Sequence, residues 1–159
     1  MEVANQTMVS GAPQSSTIVV DGVSLPLNKT PPTPGAVVVG PERGARVVLT
    51  MPTFEGYEPL PAQRFSEVAE VSSQSWLCLA VSLDYPPIRE AWGETAGWLT
   101  PAVDFADFKE QFGVFAPRLG LLVPALFVID TSDRVLYCEV VSALDAKVDF
   151  DAARDVLLG

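Results

Sequence analysis

The sequence predicts an α/β domain, a mixed sheet flanked by helices with an N-terminal β-hairpin, and three observations predict it. Two continuous apolar runs, "RVVLTM" and "SWLCLAVS", have the length and composition of strands buried on both faces. Segments of helical period lie between and after them, and Pro and Gly fall where such helices should start and stop. An Asp-Gly pair divides the first apolar stretch, and a second turn divides two later runs, so hairpins bracket the crossover units.

In chain order, "TIVVDGVSLPL" is two short strands around Asp21-Gly22, because a tight hairpin turn needs positive φ at both central residues. The Pro-rich connector "NKTPPTPG" follows, then "AVVVG" and "RVVLTM" as strands. A helix starting near Pro59 carries Phe65, Val68 and Val71 on one face. "SWLCLAVS" is a second central strand. "PPIREAWGETAG" is a helix that opens on two prolines and closes at Gly97. "DFADFKEQFGV" puts Phe105, Phe108 and Phe112 on one helical face and stops at Gly113. "ALFVID", the turn "TSDR" and "VLYCEVV" form a hairpin, and "DFDAARDVLL" is a final amphipathic helix. The order βαβ, then α, β-hairpin, α is the thioredoxin-like arrangement.

Composition limits what such a domain can do. A chain of 159 residues with 48% hydrophobic and 19% charged residues fits one domain with a real core. Residues 1–16, polar and small, read as a disordered leader, and 17–159 as the domain. The leader has no basic segment and no apolar core, so it is not a signal peptide. A net charge of -10 disfavours nucleic acid and anionic membrane, which are bound by neutralising phosphates. No run is long and uninterrupted enough to span a bilayer. Cys78 and Cys138 sit inside apolar strand-like runs as small hydrophobes, and the expected compartment is the reducing cytoplasm. The absence of His removes Ser-His and Cys-His pairs and the commonest zinc ligand, and neither metal nor cofactor is expected.

From residue 108 onward, "FKEQFGV", "LGLLVPALFVID", "RVLYCEVV" and "DFDAARDVL" occur in the order and spacing of the thiol peroxidases, a branch of the peroxiredoxin family on the thioredoxin fold. "LCLAVSLDYP" resembles that family's strand and Asp-x-Pro turn, and the opening hairpin is similar too. Agreement in order covers roughly four fifths of the chain. Between residues 28 and 46 the chain is shorter than the family and lacks its Gly-x-x-Ala-Pro-x-Phe segment. The family's catalytic motif, laid on "PTFEGYEPLPAQR", puts its Pro at Pro52, its Thr at Gly56, its peroxidatic Cys at Pro59 and its Arg at Arg64. A second family Arg falls at Pro124 and the resolving Cys at Gly93. The resemblance therefore implies the scaffold without the thiol chemistry. Peroxide reduction needs a thiolate activated by a helix N-terminus and a neighbouring cation, and no Cys lies near the motif.

Glu55, Tyr57 and Glu58 stand in this turn beside Arg64. Carboxylates there ordinarily cap the helix. As a group they could also move protons, a Glu as general base and the Tyr hydroxyl as a donor to developing negative charge. Thr53 in the same turn, Asp84 at the C-terminal end of a strand, and Trp92 are the candidates to contact a substrate. Asp84 also reads as a turn cap before Pro86, and Trp92 and Trp98 as core. Two functions follow: a non-redox acid/base enzyme of hydrolase or isomerase type acting on a small metabolite, or a catalytically dead paralogue that binds a small molecule or a partner. A homodimer is expected from the family's pairing elements and from the Trp and Ile of "PPIREAWGETAGW".

Overall fold

A computed structural model describes residues 16–72 and 74–159 of the chain. The expected leader lies outside them, except Ser16. Strands β1 (Thr17–Val20) and β2 (Val23–Pro26) form the N-terminal hairpin, with Asp21 and Gly22 at φ of 50° and 78°. The remaining strands that build the centre are β3 (Arg46–Thr50), β4 (Leu77–Val81), β7 (Ala125–Ile129) and β8 (Val135–Val140). They lie in the order β4-β3-β7-β8, with β3 and β4 parallel and the other pairs antiparallel. A two-stranded ribbon of β5 (Phe115–Ala116) and β6 (Leu121–Leu122), which the sequence reading lacks, precedes β7.

Four helices cover this sheet. Helix α1 (Leu60–Val71) makes the crossover from β3 to β4, and α2 (Pro86–Ala96) follows β4. Helix α3 (Phe105–Phe112) and helix α4 (Phe150–Leu158) complete the set. One face of the sheet packs Val47, Leu49, Leu126 and Val128 against α1, α2 and α4. The other packs Val48, Phe127 and Cys138 against α3 and Ile18 of the hairpin. Every residue of β3 and β7 is buried, as a strand covered on both sides must be.

The helix ends are those the sequence marks. Gly97 and Gly113 close α2 and α3 in the left-handed conformation, and Asp104 and Asp149 cap α3 and α4 by accepting from Asp107 N and Ala152 N. Three expectations are corrected. "AVVVG" is not a regular strand: Val37 makes a single bridge to Arg134, while Val37 and Val39 stay exposed between proline-containing turns that prevent a continuous ladder. Strand β4 is at the edge of the sheet, its outer side met, among the described residues, by a parallel bridge from Leu79 to Leu99. On α1 the buried face is Ala62, Phe65 and Ala69, whereas Val71, its last residue, is exposed.

Among the described residues, Arg46 is the one charged side chain driven fully into this framework, at 0% exposure. Its guanidinium donates to the carbonyls of Gly40, Gly44 and Val38 and to Asp133 Oδ1 at 2.9 Å. It thus fastens the irregular 38–44 segment and the β7–β8 turn to the sheet.

Candidate functional site

The loop from Pro52 to Pro59 leaves the C-terminal end of β3 and enters α1, and its shape comes from a residue that follows β4. Asp84 lies just past the end of that strand and accepts three hydrogen bonds. They come from Thr53 Oγ1 at 2.6 Å, Phe54 N at 2.8 Å and Ser82 Oγ at 2.7 Å. Thr53 Oγ1 in turn accepts from Glu55 N. Gly56 takes φ of 76°, which lets Tyr57 N turn back to Phe54 O. Trp92 donates its indole N–H to Tyr57 O at 3.0 Å, and Trp98 donates to Ala62 O at 2.8 Å. Below the loop the rings of Phe54, Trp92, Trp98 and Phe65 run in contact, with centroids 4.5 to 6.2 Å apart. Asp84 and Trp92 therefore hold the loop in place, Asp84 through hydrogen bonds already made and Trp92 from within the core.

Pro59 is the N-cap residue of α1 and makes no side-chain capping bond. Glu58 instead turns its carboxylate to accept from Leu60 N at 3.1 Å, the capping role open to it. Glu55 is exposed. Glu55 and Tyr57, with Met51 to Thr53 and Gly56, form one wall of a pocket of about 290 Å³, and residues 144–147 form the other. Arg64 is on a different side of α1, exposed, in a groove with Arg154 and Phe150. The loop thus gathers Thr53, Glu55 and Tyr57 at one pocket, while Arg64 faces elsewhere.

Behind Tyr57 lies a pair that the sequence reading missed. Glu139 on β8 is 9% exposed, and its Oε1 accepts from Tyr137 Oη at 2.9 Å and from Asp149 N at 2.8 Å. Burial raises its pKa above the usual carboxylate range, opposed by these two hydrogen bonds. Burial, and then the nearby Glu139 charge, pushes the Tyr57 hydroxyl up to about 12. The signal was an acidic residue inside the apolar run "VLYCEVV", on the same strand face as Tyr137. A raised carboxyl pKa means that the folded state holds the proton more tightly than the unfolded one. Glu139 therefore favours folding most below the ordinary Glu pKa, and that contribution is lost as pH rises through its folded value. Glu139→Gln should remove this step: denaturant unfolding at acid and neutral pH should show a smaller stability decline in the variant than in wild type.

The two thiols lie within strands, not in the loop, and are far from each other. Cys78 on β4 and Cys138 on β8 lie on opposite edges of the four-stranded sheet and in opposite cores. Three strand spacings put them about 14 Å apart or more, well beyond disulfide reach. Burial pushes both up to about 12, the reverse of an activated thiolate. Gly93, where the resemblance puts a resolving Cys, packs so closely that an added Cβ would lie 2.7 Å from Trp98 O and 2.7 Å from Thr100 Cγ2. Among the described residues, no group of three His, Cys, Asp or Glu side chains is placed to hold a metal ion.

Solved structures similar to this one have the peroxiredoxin form of the thioredoxin fold, and the chain shares it. A peroxiredoxin-like protein from Aquifex aeolicus superposes with a TM-score of 0.68 at 22% identity, over 90% of this chain and 96% of the other. A thiol peroxidase from Chromobacterium violaceum gives 0.67 at 18% identity, over 89% and 95%. In sequence the chain is similar over part of its length to thiol peroxidases: it is 36% identical over 90 residues to one from Staphylococcus aureus and 32% identical over 96 residues to one from Staphylococcus haemolyticus. These matches cover 54% and 57% of each chain, so the chain spans about half the length of the curated relatives it matches. No family model matches it. No helix of the described residues is long and apolar enough to cross a membrane.

Proposed function

We propose that this is a non-redox protein on a thiol peroxidase scaffold, which binds a small, largely apolar molecule in the pocket between the 51–57 loop and residues 144–147. The observation that carries the reading is a kept frame without its reagent. Asp84, Thr53 and Trp92 hold the loop, and an open pocket of about 290 Å³ lies beside it, while both cysteines are buried in strands. Met51, Pro52, Leu144 and Ala146 supply apolar wall, and Lys147 offers a cation for one polar group. Two buried cysteines that form no disulfide suit a reducing compartment, the cytoplasm in this proposal.

Two measurements test it. With hydrogen peroxide or an alkyl peroxide and a thioredoxin system, turnover should not exceed a no-protein control. Activity that disappears on changing Cys78 or Cys138 would overturn the non-redox reading. Apolar fragments should give saturable amide shifts at 51–57 and 144–147, abolished by Ala146→Trp, which fills the pocket. If no fragment does so, the binding reading fails.

The nearness of Tyr57, at the pocket wall, to the buried charge of Glu139 favours a second reading, acid/base catalysis in the same pocket. There Tyr57 stays protonated as a donor, and of the two carboxylates at the pocket wall, Glu55 and Asp145, Glu55 shares the loop with Tyr57 and is the proposed proton acceptor; Glu58 is engaged at the helix start. Glu55→Gln would then cost roughly 10²-fold or more in turnover at unchanged melting temperature, while Glu58→Gln would lower stability by up to about 1 kcal/mol. A homodimer completes the proposal. Trp92 and Trp98 belong to the protein's own core, so the pairing surface rests on exposed Leu83 and Tyr85 after β4. A light-scattering mass near 17.0 kDa would count against it.

A further inference from the structure

A second concavity, of about 480 Å³, lies between α1, α2 and the outer side of β4, and shares no lining residue with the loop pocket. Its charged residues are all acidic: Glu67 and Glu70 from α1 and Glu94 from α2. Leu77 and Leu99 add exposed apolar surface at its base. The same wall contains Trp76, 8% exposed, whose indole N–H is shut off from water and meets no acceptor in the described structure. Trp92 and Trp98, by contrast, both donate to carbonyls. A buried donor without an acceptor is costly, and acidic side chains with no basic neighbour attract a cation.

We propose that this groove binds a small organic cation that carries an oxygen acceptor beside its ammonium group, the chemistry of an amino alcohol or amino sugar. The carboxylates take the ammonium, the indole N–H takes the oxygen after a small side-chain adjustment at the groove wall, and the apolar base covers the carbon frame. The site is separate from the loop pocket and independent of what that pocket binds.

The test is titration of the full chain with glucosamine, followed by amide shifts. Saturable shifts are expected in α1, α2 and residues 76–78. Binding should weaken about tenfold in Trp76→Phe, which removes the donor, and by at least as much in Glu67→Gln combined with Glu94→Gln. N-acetylglucosamine, which lacks the cation, and cyclohexylammonium, which lacks the oxygen, should each bind more weakly. The proposal is overturned if glucosamine gives no saturable shift, if cyclohexylammonium binds equally well, or if the Trp76 variant retains wild-type affinity. The double Glu variant keeps the test decisive should Trp76→Phe fold poorly: undiminished glucosamine affinity there also overturns it.

Discussion

Arg46→Met should lower the unfolding free energy by roughly 3–5 kcal/mol, read as a fall in the urea midpoint at constant slope. The cost does not come mainly from Asp133, whose carboxylate is 41% exposed and can return to water. It comes from the carbonyls of Val38, Gly40 and Gly44, which lose their donors at a site where Arg46 itself is 0% exposed. Arg46→Lys should recover little, because one ammonium on a flexible stem cannot meet acceptors spread around a planar guanidinium. A lysine variant as stable as wild type would show that charge, not the donor geometry, holds the 38–44 segment.

Gly93→Cys should destabilise the protein by roughly 2–3 kcal/mol and should not confer peroxide turnover. A glycine inside a helix ordinarily gains about 1 kcal/mol on replacement by Ala. Here the added carbon meets Trp98 O, a backbone atom that cannot rotate away, and Thr100 Cγ2, both at 2.7 Å. Overpacking should therefore exceed the propensity gain, and Gly93→Ala should also lower the melting temperature. A neutral or stabilising Ala variant would mean that the turn after α2 yields easily. It would also leave steric closure insufficient to explain the Gly at this position.

The fold was legible because its elements are locally consistent. Gly97 and Gly113 stop their helices, Asp21-Gly22 makes its turn, and the apolar runs of β3 and β7 lie in the buried interior of the sheet. What failed was set by partners distant in sequence. Val37 and Val39 have strand composition, yet they border an irregular segment held by Arg46 and by hydrogen bonds to the β8 turn. "SWLCLAVS" has the composition of a central strand but lies at the sheet edge. At the site, the sequence marked the loop and even Asp84. It could not distinguish Arg64, pointing to the α4 side, from a member of the cluster, since helix phase after a proline start decides that. Glu139 was hidden for the opposite reason, as a charge inside a run that otherwise reads as pure core.

The aromatic row beneath the loop makes this protein its own optical probe. Tyr57 forms part of the pocket wall and lies tilted against Trp92 with ring centroids 5.7 Å apart, and the Trp92 indole N–H donates to the Tyr57 carbonyl. A molecule entering beside residues 51–57 must change the surroundings of that indole, so Trp92 emission reports occupancy without a label. Trp76 reports the acidic groove in the same way, and Trp76→Phe silences that channel alone. The two cavities can thus be read separately, by intrinsic light, in one chain of native composition and one with a single ring exchanged.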